Sequence, residues 1–104
     1  MNEQIKEITP QEVEEQLSNG KQLNIIDVRE NDEVEQGMIT VAKHIRMGDI
    51  PQRLNELDKG EEYIIVCRSG GRSHNTGVFM QEQGYNVINM VGGMLAWTGD
   101  IKTP

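Results

Sequence analysis

Residues 67–73 read Cys67-Arg68-Ser69-Gly70-Gly71-Arg72-Ser73 and follow directly on the apolar run Tyr63-Ile64-Ile65-Val66. The chain's one cysteine thus ends a buried strand, and a glycine-bearing loop with two arginines leads from it into a helix-like segment. Such a setting suits a thiolate, because loop amides and a helix N-terminus aim partial positive charge at one point. Comparable settings bring a cysteine pKa from about 8.5 to roughly 3.5–7.5. The chemistry indicated is nucleophilic attack by sulfur on a small anionic substrate. A lone cysteine at a strand end also packs well as a small hydrophobe. Arginines one and five positions on weigh against that purely structural role, since a core cysteine has no use for nearby cations. Glycine at both 70 and 71 lets the backbone close tightly around an anion.

A scaffold has to carry this loop, and strand-like and helix-like segments alternate along the whole chain. Thr9, Pro10 and Glu12 mark a capped helix start, Val13 and Leu17 give that helix an apolar stripe, and Gly20 offers its stop. A strand follows over Leu23–Val28, then a polar helical stretch over about 30–36. A short extended piece, Ala42–Ile45, leads to a helix that Asp49 can cap, with Ile50, Leu54 and Leu57 at helical spacing. The strand Tyr63–Cys67 is continuously apolar, as for a central parallel strand covered on both faces. The spacing predicts a helix over about 73–83 stopped by Gly84, a strand Tyr85–Asn89, and a short helical piece Met94–Trp97. The alternation predicts one α/β domain over residues 1–104, with a mostly parallel sheet and helices on both faces. In such sheets ligands bind beyond the carboxyl ends of the strands, where both Cys67 and Asp27 fall. Asp27 is either a brace for the arginine-bearing loop or a solvated strand-end carboxylate.

Composition narrows the function classes. The chain has 104 residues, 36% hydrophobic and 4% aromatic, which allows one modest aliphatic core. No run approaches the ~18 apolar residues of a membrane span, and the start, Met1 to Lys6, has no apolar stretch of the signal-peptide kind. One cysteine permits no internal disulfide, and the expected compartment is the cytoplasm. His44 and His74 have no metal-ligand spacing, so no metal and no cofactor are expected. The net charge is −7, and the acidic cluster Glu30, Asp32, Glu33 and Glu35 reads as a solvated helix face. An acidic body argues against nucleic acid as a partner. Arg68 and Arg72 form a local positive spot that draws anions.

Three segments in order resemble the rhodanese family of sulfurtransferases, in its small single-domain form, over about residues 5–97. They are Ile25-Ile26-Asp27-Val28-Arg29-Glu30, the Cys67–Ser73 loop, and Gly92-Gly93-Met94-Leu95-Ala96-Trp97. The resemblance implies a five-stranded parallel sheet between helices. It implies that Cys67 accepts a sulfane sulfur from an anionic donor such as thiosulfate, becomes a persulfide, and passes the outer sulfur to cyanide or a thiol, including a protein thiol. Arg68, Ser69, Gly70, Gly71 and Arg72 are then the expected donor-binding residues, with Asp27, Arg29 and Ser73 as supports. Arg72 has a second reading, as a brace through Asp27, and Ser69 either donates a hydroxyl or fills a tight turn. Gly37-Met38-Ile39, Val41-Ala42 and His44-Ile45-Arg46 depart from the family's Gly-His-Ile, Gly-Ala and Asn-Ile-Pro steps.

Other functions fit less well. Cysteine phosphatases place five residues between Cys and Arg, whereas four separate Cys67 from Arg72 here, which also disfavours arsenate reduction. A non-catalytic binding module has no need of the cysteine together with both arginines. A persulfide carrier serving a partner protein keeps the chemistry and changes only the acceptor. No Gly-x-Ser-x-Gly elbow and no phosphate loop ending in Gly-Lys-Ser/Thr is present.

Overall fold

The computed structural model describes residues 4–104; Met1, Asn2 and Glu3, part of the start read above for a targeting signal, lie outside the described residues. In chain order the elements are β1 (Lys6–Ile8), α1 (Pro10–Ser18), β2 (Asn24–Asp27), α2 (Asn31–Val34), β3 (Met38–Ile39), β4 (Lys43–His44), α3 (Ile50–Arg53), β5 (Glu62–Val66), α4 (Gly71–Glu82), β6 (Asn86–Met90) and β7 (Ile101–Lys102). A five-stranded sheet runs in the order β1-β6-β5-β2-β4, and every pairing in it is parallel. β3 and β7 form a separate antiparallel pair.

The continuous apolar runs make sense in this sheet. Ile25, Ile64 and Val66 join Val13 of α1 in one buried cluster. Ile26, Ile65 and Cys67 join Ile50 of α3 and Met80 of α4 in the other. Successive strand residues point to opposite faces, so a strand covered on both sides is apolar throughout. Cys67 therefore belongs to the α4 face. The cap on α1 is as expected: Thr9 Oγ1 accepts from Glu12 N at 3.1 Å, and Glu12 Oε1 accepts from Thr9 N at 3.0 Å.

Strands β1, β3 and β7 were not expected, and two helical stretches also differ from the expectation. The helix expected after Asp49 is instead a 3₁₀ turn (Met47–Asp49), the single-turn α3, and a second 3₁₀ turn (Leu54–Glu56). Asp49 does not cap it. Its backbone is already near-helical, and its carboxylate accepts from Arg46 Nε at 3.0 Å. The apolar stripe is kept, since Ile50 is buried and Leu54 and Leu57 pack on the same cluster. The second difference is the start of α4, which begins at Gly71 rather than Ser73, bringing Arg72 and Ser73 into its first turn.

A buried ion pair frames the edge of the sheet where β2 ends. Asp27 is fully buried, and its carboxylate accepts from Arg29 Nη2 at 2.8 Å and from Arg29 Nε at 3.0 and 3.1 Å. Arg29 Nη2 also donates to the Gly37 carbonyl at 2.8 Å. One guanidinium thus ties the end of β2 to the turn before β3, and fixes the path of the 37–46 segment. His44 closes the same corner, with Nε2 2.7 Å from the Arg29 carbonyl. Removing one partner of such a pair strands a buried charge. Asp27→Ala is expected to cost about 3–5 kcal/mol of stability in urea unfolding; a loss under about 1 kcal/mol would show that water reaches Arg29 freely.

Candidate active site

Cys67 follows the last residue of β5, and the residues after it wrap back around its sulfur. The turn requires Gly70, whose φ of +110° lies in the left-handed region. That conformation aims the Gly70 amide at Cys67 Sγ, N to S 3.0 Å. Gly71 was expected to share this role and does not. It takes no positive φ, opens α4, and has room for a side chain. Ser73, in the first turn of α4, sets its hydroxyl 3.3 Å from the same sulfur.

The C-terminal motif closes over the loop. Met94 N donates to the Cys67 carbonyl at 2.9 Å and Leu95 N to the Arg68 carbonyl at 3.0 Å. Gly93, at φ +57°, makes this approach possible: a Cβ there would strike the Arg68 carbonyl and sit 2.5 Å from the Cys67 oxygen. The glycine pair 92–93 and the cysteine loop are therefore one structural unit.

The electrostatics favour a thiolate. Cys67 is 1% exposed, and burial is the largest single influence, pushing the thiol up. Hydrogen bonds from the Ser73 hydroxyl and from the Ser73, Gly70 and Ser69 amides together outweigh it, so the thiol lies below its ordinary value. The hydrogen bonds come from loop and helix amides and one hydroxyl, and the charges of Arg72 and the Cys67 thiolate attract as well. For Ser69 it is the amide that faces the sulfur.

The arginines are placed differently from each other. Arg72 does not reach Asp27, as one reading had it. Asp27 is taken by Arg29, and Arg72 forms a two-pronged pair with Glu33, Nη1–Oε1 and Nη2–Oε2 both 2.7 Å. Glu33 is therefore no part of a solvated face. Its carboxyl is lowered to about 2, first by the Arg72 hydrogen bonds, with burial opposing and the Glu30 amide assisting. Arg68 is exposed and forms no ion pair among the described residues. It lines a cavity of about 440 Å³ with Arg29, Glu33, Met94, Leu95 and Trp97.

Sequence reasoning missed two residues. Glu33 was one acid among four, and its partner is 39 positions away. Asn89 is buried in β6. Its Oδ1 is 2.5 Å from Ser73 Oγ, and its Nδ2 donates to the Gly70 carbonyl at 3.2 Å. It thus fixes the Ser73 side chain and the carbonyl of Gly70. An amide at a buried position beside Val87, Ile88 and Met90 was the available signal.

The sequence model of the rhodanese-like domain matches residues 9–100. The chain belongs to the rhodanese-like domain family. A Bacillus subtilis (strain 168) protein named "Putative sulfurtransferase YtwF" is 48% identical over 99 residues, covering 95% of this chain and 96% of the relative. From the same organism, "Putative sulfur carrier protein YrkF" is 41% identical over 96 residues, which cover 91% of this chain and 52% of that protein. The crystal structure of a rhodanese-like domain protein from Staphylococcus aureus superposes with a TM-score of 0.91 at 37% identity, covering 96% of this chain and 99% of that one. The rhodanese-like relatives thus include proteins named for sulfur transfer and for sulfur carriage. Among the described residues no helix is long and apolar enough to cross a membrane, and no group of three or more His, Cys, Asp or Glu side chains is placed to hold a metal.

Two outcomes follow from this geometry. The alkylation rate of Cys67 against pH is expected to show a midpoint below that of a free thiol, and Ser73→Ala is expected to move it upward. An unchanged midpoint in that variant would remove the hydroxyl from the account. Glu33, whose folded value is about 2 against an ordinary 4.5, contributes stability that is present above pH 4.5 and lost as pH falls toward 2. That acid-sensitive component is expected to disappear in Glu33→Gln when unfolding is followed by urea titration at several pH values.

Proposed function

We propose that the protein is a sulfurtransferase in which Cys67 carries the transferred sulfur as a persulfide. The Cys67 thiolate attacks the outer sulfur of a sulfane donor such as thiosulfate. A new S–S bond forms to Cys67, the donor's S–S bond breaks, and its electron pair leaves with sulfite. Cys67 is left as a persulfide anion, and charge balances on both sides. Cyanide or a thiolate then attacks the outer sulfur, forming thiocyanate or a new persulfide and returning the Cys67 thiolate.

The observation that carries this reading is the set of donors converging on one sulfur: the Gly70 amide at 3.0 Å and the Ser73 hydroxyl at 3.3 Å, joined by the Ser69 and Ser73 amides. Such donors replace the water that a thiolate would lose on burial, and they stabilise the charge as it shifts to the outer sulfur. The loop is sized for one atom. Four residues separate Cys67 from Arg72, and both Arg72 Nη groups are already engaged by Glu33. A tetrahedral phosphate would need that guanidinium free, which supports sulfur over phosphoryl chemistry.

Arg68 is the group best placed to receive the donor's anionic end. The wall beside it is apolar, with Leu95 at 64% and Ile101 at 54% exposure, which suits a thiol acceptor borne on an organic or protein body. Cyanide and protein thiols are both acceptors in this proposal, and the cytoplasm is the proposed compartment.

Incubation with thiosulfate is expected to add one sulfur atom to the intact protein, reversed by cyanide and absent in Cys67→Ser. Arg68→Ala is expected to lower kcat/KM for thiosulfate roughly ten- to a hundredfold, the cost of one charge-assisted hydrogen bond of about 1.5–3 kcal/mol. Turnover of aryl phosphates without sulfur transfer would overturn the assignment.

A further inference from the structure

We propose that Glu33 sets the charge class of the sulfur donor, favouring singly charged sulfane donors over doubly charged ones such as thiosulfate. The inference rests on the sulfur-transfer reading above and concerns which donor that site selects.

Three guanidiniums gather at this edge of the sheet, and two are already neutralised. Arg29 is held by Asp27 through contacts of 2.8 to 3.1 Å. Arg72 is held by Glu33 through two contacts of 2.7 Å. Arg68 is the one guanidinium of the three without a carboxylate partner, and the Cys67 thiolate already draws on the charge of Arg72. Glu33 lies on the wall of the same cavity as Arg68. With the thiolate formed, these side chains sum to neutrality before any donor arrives. A dianion then brings two uncompensated charges into a partly desolvated pocket, and a monoanion brings one.

Swinging Arg72 onto the donor does not remove the difficulty. It frees the Glu33 carboxylate, whose side chain is 23% exposed and lies on the cavity wall. The freed carboxylate would face the donor. Either arrangement penalises a second negative charge.

The matching donor class is a thiosulfonate, R–SO₂–S⁻, or an alkyl persulfide, R–S–S⁻. With a thiosulfonate, the Cys67 thiolate bonds to the outer sulfur and the bond to the sulfonyl sulfur breaks. The electron pair departs with a sulfinate, R–SO₂⁻, and Cys67 is left as the persulfide anion. No oxidant or reductant is consumed. The organic group R meets Met94, Leu95 and Trp97, which line the same cavity.

The test compares thiosulfate with methanethiosulfonate, in which a methyl group stands in place of one anionic oxygen. The readout is the ratio of their kcat/KM values, thiosulfate over methanethiosulfonate, with cyanide as acceptor. Glu33→Gln is expected to raise that ratio about tenfold, the effect of one unit charge several ångströms away in a half-exposed pocket. Arg72→Gln is expected to lower it by a similar factor, and the double variant to return it close to the unsubstituted value. If Glu33 only braces Arg72, Glu33→Gln depresses both donors together and the ratio stays where it was, which overturns the proposal. A fall in the ratio overturns it equally. Should Glu33→Gln lose all turnover, Arg72→Gln decides alone: an unmoved ratio there is a refutation. If neither donor adds sulfur to Cys67 in the unsubstituted protein, it is the sulfur-transfer reading that fails, and the mass measurement separates that case.

Discussion

A sulfur atom in a residue that is 1% exposed can hold negative charge only if the protein supplies what water no longer can. Here the supply is a hydrogen bond from Gly70 N at 3.0 Å, a hydroxyl at 3.3 Å, and further amides from Ser69 and Ser73. Much of the local architecture follows from that need. Gly70 must take φ +110° to turn its amide inward. The helix must begin early enough for Ser73 to lie in its first turn, where helix amides have no partner of their own. Gly93 must be bare so that the C-terminal motif can bind the Cys67 and Arg68 carbonyls and stop the loop from opening. Asn89 must sit in the sheet so that the Ser73 hydroxyl and the Gly70 carbonyl stay where they are.

The charged side chains form a second layer with a different task. Asp27–Arg29 is deeply buried and mechanical, holding β2 to the turn at Gly37. Glu33–Arg72 is partly exposed and joins α2 to α4, with Glu33 on the cavity wall. Of the three guanidiniums at this edge, Arg68 is the one without a counter-ion among the described residues. The body as a whole carries −7, so an unpaired guanidinium beside the loop is a strong local contrast. Anions are drawn to the loop, and the paired carboxylates limit how much negative charge can be placed there.

Much of this was legible in the sequence, for identifiable reasons. β2, β5 and β6 each centre on adjacent β-branched apolar residues, and α1 carries its own capping box, so local residue types decide them. The nucleophile loop was legible because cysteine, glycine and arginine at short spacing have few other uses. What escaped depends on distant partners. β3 and β7 are two residues each and exist only because they pair with one another, Met38 with Lys102 and Ile39 with Ile101. Asp49 looked like a cap, but Arg46 took its carboxylate. Glu33 is indistinguishable by type from Glu30, Asp32 and Glu35 until the fold brings Arg72 to it. The second reading of Arg72, as a brace, had the right kind of partner in the wrong place, because the sequence cannot say that Arg29 has already claimed Asp27.

The measurement that bears most directly on the central claim is a crystal structure of the protein after exposure to a sulfane donor. The account requires one additional sulfur bonded to Cys67 Sγ, lying within hydrogen-bond reach of the amides of the 69–73 loop, with the Glu33–Arg72 pair intact. A loop holding a tetrahedral oxyanion on Arg72, with Cys67 unmodified, would contradict it.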